Sequence, residues 1–224
     1  MASGVAHELN QPLSVIRMGA TFLSKMINKG RKIKDEELRT VTEQIVGQVD
    51  RASAIINHMR DFARVGIKTT DLDVNLPIKN IIGIFGQQFK VRDIAIELDL
   101  DDNLPHIMAD SNKLEQVLLN LVVNARHVIE EKGEPGGKVT IRSFSDKGRV
   151  AVSVSDTGNG IPDHILDKIF EPFFTTKKVG AGTGLGLSIS YGIVKDYGGT
   201  IDVKTEVGIG TTFVLKFPPC SNAK

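Results

Sequence analysis

Residues 111–131, SNKLEQVLLNLVVNARHVIEE, open on a serine suited to cap a helix and continue with apolar residues at helical spacing. Within that run Asn120 and Asn124 stand four residues apart, so a helix places both on one face. Two amides on one face suit a hydrated Mg2+ and phosphates: magnesium prefers oxygen ligands and keeps waters, so one protein oxygen beside phosphate oxygens makes a site. Taken alone, the pair is also an ordinary solvated helix surface.

Strand patterns flank this helix at 138–143 and 149–156, then at 200–205 and 211–217, with a fifth at 95–100 before it. Helical patterns at 77–90 and 186–197 bring the helices to three. Because the strands mostly follow one another in neighbouring pairs, the reading is hairpins in a mixed or antiparallel sheet with helices on one face, rather than a doubly wound parallel fold. This domain is expected over 74–218, with a tail at 219–224 and a polar linker at 66–73.

Upstream the periodicity changes. From Leu9, apolar residues recur as Leu13, Ile16, Ala20, Leu23 and Ile27, a coiled-coil-like seam. Asn28 to Lys34 interrupts it, and Leu38, Val41, Ile45, Ala52, Ile56, Met59 and Ala63 resume it. Residues 1–65 therefore read as a helical hairpin. Two helices cannot enclose a stripe of this length, so a second copy completing a four-helix bundle is the expectation, the alternative being packing on the rest of the same chain. The fold class is α+β, a helical hairpin followed by an α/β sandwich.

The bulk numbers set limits. Twenty-eight basic and 27 acidic residues give a net charge of +1 over 224 residues, which leaves no electrostatic footprint for nucleic acid or an anionic membrane. Lone Cys220 excludes an intrachain disulfide framework and cysteine zinc clusters, and makes a reducing cytoplasm the default. No apolar run reaches membrane-spanning length, and a signal-peptide pattern is missing. Patterned sequence begins at once, so a fragment of a longer protein, with any sensor or membrane anchor elsewhere, is expected.

Two glycine-bearing stretches follow the helix. DTGNGIP, from Asp156, ends a strand with a carboxylate and two glycines on a turn, and a carboxylate there can accept from an exocyclic amine; an Asx-turn is the plain alternative. VGAGTGLGLS, from Val179, lets backbone approach phosphate oxygens and leads into a helix N-terminus that favours an anion. It matches neither the Rossmann pattern nor the P-loop, and alone it is equally a flexible loop.

In this order and spacing the chain resembles the sensor histidine kinases. QVLLNLVVNA is similar to their asparagine box, DTGNGIP to their first glycine box, FEPFFTTK from Phe170 to their phenylalanine box, and GTGLGLSI from Gly182 to their second glycine box. The resemblance implies the ATP-binding sandwich shared with gyrase and the heat-shock chaperone ATPases. It also implies that Asn124 carries the Mg2+, Asn120 lies beside the phosphates, and Asp156 reads the adenine amine. By the same resemblance Gly158 and Gly160 shape the base pocket, and Ile161 is a further cofactor-binding candidate. The segment from Phe173 to Thr183, with Thr175, Thr176 and Lys177, is a lid over the triphosphate; Lys177 is its candidate γ-phosphate contact, and Gly182, Gly184 and Gly186, with Leu185, complete the glycine box. Family members often carry Lys where this chain has His127, which substitutes for an ammonium only when protonated; Arg126 is the neighbouring candidate.

At the other end, GVAHELNQPL sets His7 just before the seam, flanking the bundle and facing solvent, and resembles the phosphoacceptor box. Glu8 is the candidate to orient the imidazole and take its proton. Pro12 removes the helical partner of the Glu8 carbonyl, so a bend is expected there. Gln11, one turn after His7, is the candidate to hold a water for dephosphorylating a partner. The implied activity is ATP-dependent autophosphorylation on His7, then transfer to an aspartate of a response-regulator receiver domain, with phosphatase activity toward that regulator. Two other readings stand beside it: an ATPase of the same fold, disfavoured because Asn120 stands where such relatives place a water-activating Glu, and a docking scaffold, disfavoured by the intact nucleotide motifs.

Overall fold

The computed structural model describes residues 2–63, 69–177 and 183–220, and, within these, the backbone alone for 2–9, 50–51, 53–63 and 87–88. The chain divides into two compact units, Met1–Val65 with Thr175–Thr183, and Gly66–Phe174 with Gly184–Lys224.

The first unit is built on α1 (Ala2–Asn28) and α2 (Asp35–Ala63). Helix α1 runs on through Pro12. It ends where Gly30 N–H donates to the Ile27 carbonyl and Arg31 N–H reaches back to that of Met26, satisfying carbonyls that a helix end leaves open. Asp35, Glu36 and Glu37 open α2, where negative charge complements the helix dipole. The two helices approach closely at Gly19, whose missing side chain leaves room for Ile45 and Val41. Much of the apolar stripe stays uncovered in the single chain: Met18 is 67% and Ile27 72% exposed, with Leu13, Phe22, Val46 and Val49 also exposed.

The second unit begins with β1 (Thr70–Leu72), which pairs antiparallel with β3 (Ile107–Ala109). Between them lie α3 (Asn75–Lys90) and β2 (Ile94–Leu100). Then follow α4 (Ser111–Lys132), β4 (Gly137–Asp146), β5 (Arg149–Asp156), a single turn α5 (Asp163–Leu166), α6 (Gly186–Asp196), β6 (Thr200–Glu206) and β7 (Gly210–Phe217). The main sheet runs β2-β4-β5-β7-β6, with β2/β4 parallel and the other pairs antiparallel, as the paired strand patterns lead one to expect.

One sheet face is apolar because strand side chains alternate: Val139 and Ile141 of β4, Val150, Val152 and Val154 of β5, and Phe213, Leu215 and Phe217 of β7 are all buried. Helix α4 covers them with Leu114, Val117, Leu118, Leu121, Val122, Ala125 and Ile129, a stripe at helical spacing. The other face carries ion pairs, among them Arg142 with Asp99 at 2.7 Å and Lys216 between Asp146 and Asp202 at 2.8 and 2.9 Å. Buried Asn75 and Ser143 share a 2.7 Å hydrogen bond that fastens the start of α3 to β4.

Three local features differ from the sequence reading. Residues 70–72 are a strand rather than linker, and the three-residue β1/β3 pair is too short for any periodicity to show. Helix α3 starts two residues before Pro77, with Asn75 N–H bonded to the Asp73 carboxylate. The cap of α4 is Asp110, not Ser111: its carboxylate accepts from Asn112 and Lys113 N–H at 2.8 and 3.2 Å, and Ser111 is already helical.

Candidate active site

Asp156 closes β5, and its position there is set by pairing with both neighbours: Val139 of β4 and Thr211 of β7. Its Oδ1 accepts from Gly158 N–H at 2.9 Å and from Thr211 N–H at 3.2 Å. Burial pushes the Asp156 carboxyl above the ordinary carboxylate range, and these two N–H groups oppose that shift. Oδ1 is thus held by two backbone donors, and Oδ2 takes part in neither bond.

The turn after Asp156 packs against the β6–β7 hairpin. Gly160 has φ +69, and a Cβ there would run into the Glu206 carbonyl, so this close approach requires glycine. Gly208 N–H donates to the Asn159 carbonyl at 2.8 Å, and Ile161 N–H to the Thr205 hydroxyl at 2.8 Å. The Lys132 ammonium, at the end of α4, donates to the carbonyls of Gly208 and Thr157 at 2.9 and 3.4 Å and pairs with Glu134. Helix α4, the Asp156 turn and the hairpin are thereby tied together.

On α4, Asn120 Nδ2 donates to the Gly186 carbonyl at 3.1 Å and to the Ser190 hydroxyl at 3.3 Å, which joins α4 to the first turn of α6. Asn124 lies one turn further along the same face. His127 Nε2 stands 3.5 Å from Glu131 on that side of the helix. Arg126 does not join this group: its guanidinium lies 3.6 Å from Glu130, which also holds Arg92 at 2.8 Å. Leu185, the N-cap residue of the eleven-residue α6, makes no side-chain cap bond.

Gly184 has φ +67, and its carbonyl accepts from Phe173 N–H at 2.9 Å; a Cβ on Gly184 would collide with the Phe173 backbone. Phe173 is itself at φ +71, a rare conformation for a bulky side chain and a sign of backbone held under strain. The Phe170 ring packs against Tyr191 of α6, centroids 5.3 Å apart and planes tilted by 42°. Buried Leu185 anchors the entry to α6. Thr175, Thr176, Lys177 and Thr183 fall in the first unit, Thr175 accepting from Lys177 N–H at 3.2 Å. Gly182 lies outside the described residues. His7, Glu8 and Gln11 are in α1, Gln11 exposed; the side chains of His7 and Glu8 lie outside the description.

In the second unit the structure gathers Asn120, Asp156, Gly158, Gly160, Ile161, Gly184 and Gly186 around the seams joining α4 to the Asp156 turn and to α6. It adds four residues that sequence reasoning missed: Thr205, Thr211, Ser190 and Lys132. Each acts through a partner 25 to 76 positions away or through a common hydroxyl, so local sequence holds no signal for them beyond the strand and helix that carry them. Among the described residues no cluster of three or more His, Cys, Asp or Glu side chains is placed to hold a metal, so a carboxylate cage is not offered. Amide oxygens on α4 fit a hydrated Mg2+ whose remaining ligands are water and phosphate. Among the same residues no helix is long and apolar enough to cross a membrane.

Residues 109–221 match the family described as histidine kinase-, DNA gyrase B-, and HSP90-like ATPase, and residues 1–66 match the His Kinase A (phospho-acceptor) domain. The chain is 33% identical to the sensor histidine kinase ZraS of Escherichia coli over 97% of its own length and 45% of that protein. It is 34% identical to the sensor kinase CckA of Brucella abortus over 97% of its length and 24% of that protein. Among solved structures, histidine kinase ThkA in complex with the response regulator protein TrrA is similar over the whole chain and 62% of ThkA, with TM-score 0.74 and 29% identity. The chain thus spans less than half the length of these two curated relatives.

Proposed function

Because the chain belongs to the two-component sensor histidine kinases, we propose that it binds ATP in its second unit and transfers the γ-phosphoryl group to His7 of its first. The observation that carries this reading is the Asp156 carboxylate, fixed through Oδ1 by two backbone N–H groups with its second oxygen left for a ligand amine. A nucleotide whose base is read there has its phosphates directed along α4 toward Asn120, Asn124 and the start of α6. Mg2+, when bound, neutralises phosphate charge, with Asn124 as the proposed protein ligand. Lys177 and His127 are the proposed cationic contacts, with Arg126, whose Nε lies 3.6 Å from Glu130, as the neighbouring candidate.

In the transfer, a neutral imidazole nitrogen of His7 forms a bond to the γ-phosphorus as the bond to the β–γ bridging oxygen breaks, and ADP leaves. The proton on the other ring nitrogen passes to Glu8. The phosphohistidine then gives its phosphoryl group to an aspartate of a response-regulator receiver domain, and Gln11 is the proposed holder of a water for the reverse regulation, hydrolysis of the phosphorylated regulator. The uncovered stripe of α1 and α2 supports a homodimer, in which a second copy covers Leu13, Met18, Phe22 and Ile27. We assign 1–65 to dimerisation and phosphoacceptance and 74–218 to catalysis, in a core that works in the cytoplasm.

Incubation with γ-labelled ATP and Mg2+ is expected to give acid-labile, alkali-stable label on the protein that disappears in His7→Gln. Label persisting in that variant removes His7 as acceptor, and rapid ADP release without labelled protein points instead to a simple ATPase.

A further inference from the structure

The Lys132 ammonium, at the end of α4, stands among three acceptors from three segments. They are the Gly208 carbonyl of the β6–β7 hairpin at 2.9 Å, a Glu134 carboxylate oxygen after the helix at 3.0 Å, and the Thr157 carbonyl of the Asp156 turn at 3.4 Å. An ammonium has three hydrogens, so these acceptors use its capacity in full. The Thr157 leg is the longest, but the two shorter bonds park a full charge beside that carbonyl, and a charge acts on a dipole at this distance. The Thr157 carbonyl and the Gly158 N–H are the two ends of one planar peptide unit. Its oxygen meets Lys132 while its N–H donates to Asp156 Oδ1 at 2.9 Å, so contacts run from ammonium through peptide to carboxylate. Polarising the carbonyl strengthens the N–H as a donor, as linked hydrogen bonds do. The same peptide lies close against α4: Val128, one turn before Lys132 on the same face, fills the space that a Cβ on Gly158 would need. The second donor to Oδ1, Thr211 N–H, belongs to the hairpin whose Gly208 carbonyl Lys132 also holds.

We propose that Lys132 is a positioning residue for base recognition: it holds in place the turn and the hairpin that supply both donors to Asp156 Oδ1, so that the carboxylate keeps one orientation toward the base amine. Selectivity for an amino purine over a carbonyl purine then depends on a side chain of α4 acting through the Thr157–Gly158 peptide. The helix that carries Asn120 and Asn124 is thereby joined to the turn that reads the base. This inference rests on the nucleotide-binding reading above.

The test compares binding of ADP to the 224-residue chain with that of inosine diphosphate, which carries a carbonyl in place of the amine, both with Mg2+. The unaltered chain is expected to prefer ADP. Lys132→Met, which removes the charge and keeps an unbranched apolar stem, is expected to lower ADP affinity by about 3- to 10-fold, the range of one net hydrogen bond. Affinity for inosine diphosphate is expected to hold, which also shows that the variant is folded. In an Asp156→Asn background the same substitution is expected to leave the ratio of the two affinities unmoved. An undiminished ratio in Lys132→Met, or an equal loss for both nucleotides, overturns the proposal. Equal affinity of the unaltered chain for both nucleotides overturns it together with the assignment of Asp156 to the base, and absence of any ADP binding overturns the nucleotide reading and the proposal with it. Backbone NMR of the nucleotide-free protein gives a second answer: the Gly158 amide proton is expected to move upfield in Lys132→Met as its bond to Asp156 weakens, with the amides of β4 unmoved. A Gly158 resonance indifferent to the substitution also overturns the proposal.

Discussion

Ionised Asp156 sits where burial works against its charge, and this gives a separable signature of function and stability. Since the folded pKa is raised above the unfolded value, the unfolded chain loses its proton first as pH rises, and Asp156 subtracts stability from there upward. The penalty is absent at pH below the ordinary carboxylate range and complete above the folded pKa. Asp156→Asn keeps an oxygen for the Gly158 and Thr211 N–H groups but turns an amide toward the proposed base site. The variant is expected to melt at or above the temperature of the unaltered protein at pH 7, to show no such advantage in acid, and to lose nucleotide binding by at least about 10-fold, comparable with one charge-assisted hydrogen bond. A lower melting temperature for Asp156→Asn than for the unaltered protein at neutral pH would contradict the burial argument.

Among the elements, α4 carries most of what the sequence made legible. The spacing of Asn120 and Asn124 with the apolar stripe between them is a local pattern, and local patterns survive in a linear string. The cap shows where that stops. Asp110 and Ser111 are both good caps and adjacent, and only the geometry of the Asn112 and Lys113 N–H groups distinguishes them. Asp110→Ala is expected to cost about 1 kcal/mol while Ser111→Ala costs little, read as the difference in urea midpoint at unchanged slope. The partners of Asn120 and Asp156 were illegible for a stronger reason. Ser190 lies 70 residues from Asn120, and Thr211 lies 55 from Asp156, so their roles exist only once α6 packs on α4 and β7 pairs with β5. Common hydroxyl residues acquire meaning from such neighbours, not from their own segment.

At the scale of the whole molecule, two units with different sources of stability should not melt as one. The second has a buried sheet-and-helix core of its own, whereas the first leaves a long apolar stripe exposed in a single chain. Calorimetry is expected to resolve two transitions, the helical one rising with protein concentration, as an association-linked step must, and the other insensitive to it. Adding ADP and Mg2+ is expected to raise the second transition by the amount that ligand concentration over Kd dictates, with the first unmoved. A single transition indifferent to concentration would count against dimerisation through α1 and α2. Strand order adds a temporal dimension. Last of the described strands in sequence, β7 is interior in the sheet, flanked by β5 and β6. A ribosome therefore delivers α4, the Asp156 turn and both glycine stretches well before the strand that supplies the second backbone donor to Asp156. The nascent protein holds nearly all its glycine and asparagine motifs while its sheet is still open, and the Asp156 carboxylate gains its second backbone donor only when that later strand inserts.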